Sequence, residues 1–122
     1  MRVFVSYTQR DGLVTREKLE LLNSHLKTSC TPFIHLIHGE KAKYQQANVI
    51  LNIIKSKAVL LVKSPETTSS PWVKLELSIA KKLSIPILEI SIEDIDNKDK
   101  IQKSLLSTQQ MKIKPTNSLK AG

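Results

Sequence analysis

The sequence predicts an α/β domain built on a parallel sheet, and three observations carry that prediction. Short, nearly continuous apolar runs (VFVSY, AVLLV and IPILEI) have the length and composition of strands buried on both faces. Between them, leucines and isoleucines recur at helical spacing. The two patterns alternate along the chain, with no internal repeat and no low-complexity segment.

RVFVSY, residues 2–7, is the first strand, and TQRDG follows as a loop with a glycine breaker. Leu19, Leu22 and Leu26 recur at i, i+3 and i+7, which marks a helix over residues 14–27. PFIHLI, residues 32–37, reads as the second strand, and HGEKAKYQQ as a polar loop. Val49, Ile50, Ile53 and Ile54 form the face of a second helix over residues 44–55. AVLLV, residues 58–62, is the third strand, followed by the loop KSPETTSS. SSPWVKLELSIAKKL, residues 69–83, is a helix that Ser69 or Ser70 can cap, with Pro71 suited to its first position. IPILEI, residues 85–90, is the fourth strand. A weaker helix near residues 98–107 and a short edge strand, MKIK, complete a domain over residues 1–114, with a frayed tail at 115–122. In such sheets ligands bind outside the carboxyl ends of the strands, so the loops at 6–12, 38–43, 63–70 and 91–97 are the candidate site.

Composition narrows the function classes. A chain of 122 residues with 40% hydrophobic and 25% charged content can bury one core. Its single cysteine, Cys30, allows no internal disulfide and reads as a structural thiol in a reducing compartment. No signal peptide precedes VFVSY and no apolar run is long enough to span a bilayer, so a cytoplasmic protein without membrane contact is expected. The net charge of +8 is scattered and aromatic residues make up only 4%, which ranks nucleic acid last among partners. A glycine-rich dinucleotide fingerprint and a P-loop are both absent. His25, His35 and His38 lack metal-ligand spacing, so neither a metal nor a cofactor is expected, and His35, placed within the second strand, reads as a hydrogen-bonded core histidine.

One residue breaks the pattern of the 69–83 helix. Trp72, Val73, Leu75, Leu77, Ile79, Ala80 and Leu83 fill one broad side, with Leu77 assigned to the core, while Lys74, Ser78, Lys81 and Lys82 fill the other. Glu76 falls near the centre of the apolar side. A carboxylate there must be paired, hydrogen-bonded or protonated, because burying it bare is too costly. Two explanations stand side by side: a structural glutamate paired with a lysine, an arginine or the capped helix end, and a carboxylate lining a pocket.

The order of motifs VFVSY, RDG, KAVLLVKSP and SSPWVKLEL…IPILEI resembles a Toll/interleukin receptor (TIR) domain over residues 2–90, most specifically in Ser-x-Trp-Val-x-x-Glu-Leu followed by the Pro-Ile strand. The resemblance implies a flavodoxin-like three-layer sandwich with a parallel sheet of four to five strands in the order 2-1-3-4-5. It also implies cleavage of NAD+ as substrate, with Glu76 catalytic and Ser6, Tyr7, Arg10 and Asp11 lining the nucleotide pocket. Ser69 and Trp72 map to its nicotinamide end. Arg10 follows the first strand, where a diphosphate would lie, and an arginine fork suits phosphate oxygens. His38, Gly39 and Glu40 fall in the loop that governs assembly in the family, which implies a homo-oligomer or pairing with other TIR domains. The family's aromatic residue and aspartate after the second strand are replaced here by HLIHGEKAK.

The implied chemistry accounts for a carboxylate on the inner face. Nicotinamide leaves NAD+ as a neutral base, and the ribose anomeric carbon becomes oxocarbenium-like, so a nearby anion stabilises the transition state. The expected activity is therefore release of nicotinamide with ADP-ribose or a cyclic product, in defence or cell-death signalling. The alternatives are a non-enzymatic TIR–TIR interaction module and a nucleoside deoxyribosyltransferase-like enzyme.

Overall fold

In a computed structural model of the chain, residues 1–35 and 46–106 are described. Four strands, β1 (Arg2–Ser6), β2 (Thr31–Phe33), β3 (Ala58–Lys63) and β4 (Ile87–Ser91), form one parallel sheet in the order β2-β1-β3-β4. Helices α1 (Arg16–Leu26), α2 (Gln46–Ile54), α3 (Pro71–Lys82) and α4 (98–106) connect or follow them. This is the flavodoxin-like α/β arrangement that the motif order implies. The expected fifth strand, the end of the last helix, the tail and the loop carrying His38, Gly39 and Glu40 lie outside the described residues.

Strand alternation sorts the core into two layers. Val3 and Val5 of β1, Ala58, Leu60 and Val62 of β3, and Leu88 and Ile90 of β4 pack with Leu19, Leu22 and Leu26 of α1 and Ile101 and Leu105 of α4. Phe4 and Val59 face the other way, onto Val49 and Ile53 of α2 and Ala80 of α3. The central strands β1 and β3 are covered on both faces, which is why their sequences read as unbroken apolar runs.

The helix starts differ from their expected places for local reasons. Thr15 caps α1 by accepting from the backbone N–H of Lys18 (3.2 Å), so the helix opens at Arg16 rather than at residue 14. Val14, just before the cap, is buried in the same cluster as Leu19, four residues after the cap, the pairing that fixes a chain's entry into a helix. Of the two candidate caps for α3, Ser70 does the work: its hydroxyl accepts from the N–H of Val73 (3.3 Å), with Pro71 next.

Two expectations are corrected. The run PFIHLI is not all strand: β2 ends at Phe33, Ile34 is buried past its end, and His35 lies beyond the sheet instead of inside it. Apolar character alone does not mark where an edge strand stops and the next segment begins. Pro32 is tolerated because, among the described residues, β2 pairs with β1 alone and so lies at the sheet edge. The buried line of α3 is Val73, Glu76 and Ala80, at i, i+3 and i+7. Leu77, expected in the core, is half-buried against the second cluster, and Leu83 is 46% exposed where the helix terminates. That termination is a left-handed turn at Ser84 (φ 57°), with Ile85 N–H donating to Ala80 (2.9 Å) and Ser84 N–H to Lys81 (3.1 Å).

Candidate active site

The site begins with the pleat of β1. Phe4 faces the α2–α3 layer, so Ser6, two residues on, faces it too. Ser6 is fully buried, and its hydroxyl donates to Glu76 Oε1 across 2.8 Å. Glu76 itself is only 4% exposed, although it sits on the inward line of α3. Trp72 precedes it by one turn, and its side chain also donates a hydrogen bond to the carboxylate. Among the described residues no lysine or arginine forms an ion pair with Glu76. Burial pushes its pKa up to about 7, against a smaller downward pull from the Ser6 and Trp72 hydrogen bonds. The carboxylate is thus held by two neutral donors, so its charge, once formed, is not cancelled by a neighbouring cation.

A cleft of about 510 Å³ opens over this carboxylate. Its walls are Val5, Tyr7, Thr8, Gln9 and Arg10 from the end of β1 and the following loop, and Ser70, Pro71, Trp72 and Glu76 from the start of α3, with His35 from beyond β2. β2 and β3 both neighbour β1, so the chain reverses its winding direction there, and the cleft lies at the carboxyl end of that switch point. Its size is that of a small-molecule site, mostly apolar with a few polar groups.

The residues singled out from sequence occupy several distinct places. Glu76, Trp72, Tyr7 and Arg10 line the cleft. Ser6 lies behind it, touching the carboxylate rather than the open space. Ser69 is exposed and does not line it, whereas the neighbouring cap Ser70 does. Asp11 is also outside the lining and clamps two loops: Oδ1 accepts from Leu13 N–H (3.2 Å) and Oδ2 from Glu66 N–H (3.0 Å). The Glu66 bond is the main cause that holds the Asp11 carboxyl below its ordinary range. Gly12 adopts φ +72° in the same turn, a conformation that favours glycine. Arg10 reaches the cleft while its Nε stands 3.9 Å from Glu66 Oε1, an exposed pair that weakly restrains it.

His35 is the site residue hidden by the misread second strand. Its half-buried imidazole lies 6.5 Å from the Phe33 ring, tilted by 53°, and Phe33 in turn stacks on Phe4 at 5.6 Å. Desolvation lowers its pKa, which favours the neutral form of the ring. Thr8 and Gln9 carry no sequence signal beyond their place after β1.

Residues 4–99 match the family model described as "Thoeris protein ThsB, TIR-like domain". Among solved structures, the chain is similar to the TIR domains in a structure of the activated Roq1 resistosome directly recognizing the pathogen effector XopQ. That similarity has a TM-score of 0.57 at 21% identity and covers 74% of this chain and 56% of the other, so the chain spans little more than half of that relative's length. No curated protein matches the sequence.

Proposed function

The chain belongs to the TIR-like domain family of Thoeris protein ThsB, and from that premise we propose that it cleaves the N-glycosidic bond of NAD+, releasing nicotinamide. The observation that carries this reading is Glu76: a 4% exposed carboxylate, hydrogen-bonded to Ser6 and Trp72 and in no ion pair among the described residues, bordering a cleft of about 510 Å³ at the switch point of the sheet. An anion in a dry site lowers the energy of positive charge developing at the ribose anomeric carbon, and a non-polar surround strengthens the interaction. Nicotinamide departs as a neutral base, so the site needs no strong acid. Trp72 and Pro71 offer apolar surface to an aromatic ring beside Glu76, and Arg10 supplies the charge-assisted donors that a diphosphate accepts.

The product is ADP-ribose or its cyclic form, and the setting is defence or cell-death signalling in the cytoplasm. Copies of the chain pair with one another or with other TIR domains, as part of the same proposal. The TIR domains it resembles belong to an activated resistosome.

The test is incubation of the purified chain with NAD+ over a range of protein concentrations, read by mass spectrometry. Nicotinamide should appear, faster per molecule at higher concentration, and Glu76→Gln should reduce the rate by roughly 10²-fold or more, the scale seen when one transition-state partner is removed. Equal rates in the two proteins would exclude Glu76 from the chemistry.

A further inference from the structure

The departing nicotinamide takes no proton, but an incoming hydroxyl must lose one. Water, or an alcohol of a sugar, attacks the cationic carbon as a neutral molecule, and something in the cleft must accept the proton it sheds. Among the described residues of the cleft few groups qualify. Arg10 presents only N–H donors, and Tyr7, Thr8, Gln9, Ser70 and Trp72 offer hydroxyl, amide or indole groups rather than a carboxylate or an imidazole. Glu76 and His35 remain. Glu76 serves as the anion facing the developing cation, and taking the proton itself would discharge it at the moment its charge is used.

Resting on the NAD+ cleavage proposed above, we infer that His35 is the general base that takes the proton of the incoming hydroxyl nucleophile. Its placement suits the task. His35 lines the same cleft as Glu76 but comes from a different element, beyond the edge strand β2. The ring stands 6.5 Å from that of Phe33, which stacks on the buried Phe4, so it packs at the end of an aromatic series that reaches into the core. Desolvation lowers its pKa, which favours the neutral imidazole, the form whose unprotonated nitrogen accepts a proton. The step balances without a further reactant. The C1′–N bond breaks with its electron pair passing to the nicotinamide nitrogen, and the nucleophile's oxygen forms the new bond to C1′. Its proton moves to an imidazole nitrogen of His35 and then to solvent.

The experiment compares nucleophiles that do and do not carry a proton to lose. A free pyridine base such as 3-acetylpyridine attacks through a lone pair and sheds nothing, so base exchange bypasses a general base, whereas reaction with water or methanol does not. NAD+ is given to the wild-type chain, His35→Gln and His35→Ala, with and without 3-acetylpyridine or methanol, and products are separated by mass. Hydrolysis and methanolysis should fall roughly 10²–10⁴-fold in the variants, the usual worth of a positioned base, while exchange stays within about twofold. The ratio of the two reactions belongs to the folded fraction alone, so partial unfolding of one variant does not alter it. A parallel loss of exchange and hydrolysis, or no change in either, would overturn the assignment and leave NAD+ cleavage standing. A wild-type chain inert towards NAD+ in every arm would overturn the parent reading and this one with it.

Discussion

Glu76→Gln should make the fold more stable at alkaline pH and have little such effect at acid pH. The carboxyl titrates near its ordinary 4.5 in the unfolded chain and at about 7 in the native one, because burial disfavours the ion. Between those two values the native state holds a proton that the unfolded state has released. Raising the pH through this window therefore favours unfolding: the penalty is absent below about 4.5 and complete above about 7. At about 1.4 kcal/mol per unit of displacement, the full penalty is about 3 kcal/mol. Glutamine never ionises and escapes it. The amide also hydrogen-bonds differently to Ser6 and Trp72, but that change does not depend on pH and cancels when one pH is compared with another. Urea unfolding of both proteins near pH 5 and near pH 8 is the assay, with free energies from linear extrapolation. The stability of the variant relative to wild type should rise by about 2–3 kcal/mol between the two conditions, a relative melting shift on the order of ten degrees. A difference that stays constant to within about 0.5 kcal/mol would mean that water reaches the carboxylate in the native state, and the dry-site argument for its electrostatic role would fail with it.

Two further substitutions probe the surroundings. Arg10→Ala should raise the KM for NAD+ several-fold more than Lys81→Ala, since both remove one positive charge but only Arg10 lines the cleft; equal effects in steady-state kinetics would reduce Arg10 to diffuse attraction. Ser84→Gly should stabilise the domain by about 0.5–1 kcal/mol in thermal or urea melts, because Ser84 occupies a left-handed turn that glycine adopts without a Cβ clash.

The sheet was legible because β1 and β3 are central and doubly covered, which leaves an unbroken apolar signature, and because α1 repeats its leucines on one face. β2 was legible only in existence. An edge strand with a single partner can stop anywhere along an apolar run, and nothing in PFIHLI marks Phe33 as its end. That one boundary changed the reading of His35 from a core residue to a cleft residue. Glu76 stood out because a charge on an apolar helix line is rare enough to require an explanation. Its partners did not stand out: Ser6 lies 70 positions away and meets it only once the β1 pleat and the β1–β3 pairing are both in place. Asp11 carried a plausible binding signal in RDG, yet its carboxylate is occupied by two backbone N–H groups, and an acceptor already satisfied within its own loops has little left for a ligand.

The choice of neutral partners for Glu76 has a consequence for binding under the proposed reading. A lysine beside the carboxylate would hold it ionised at all working pH values and compensate its burial, but would also repel a cationic nicotinamide ring. Ser6 and Trp72 donate without adding charge, so the Glu76 carboxyl, with its pKa raised to about 7, lies near the midpoint of its titration at neutral pH. A cationic ring entering the cleft favours the ionised form and draws the carboxyl pKa down. Binding is then coupled to release of a proton, and by linkage affinity for a cationic ligand should strengthen with rising pH until it levels off above about 7. Neutral nicotinamide, the leaving group after cleavage, lacks that charge and should show no such gain. The same burial that weakens the fold at alkaline pH would thus favour the charged reactant over its neutral product, which a pair of titrations with NAD+ and nicotinamide on a His35→Gln background can separate. Affinities that change together with pH would place the coupling elsewhere than at Glu76.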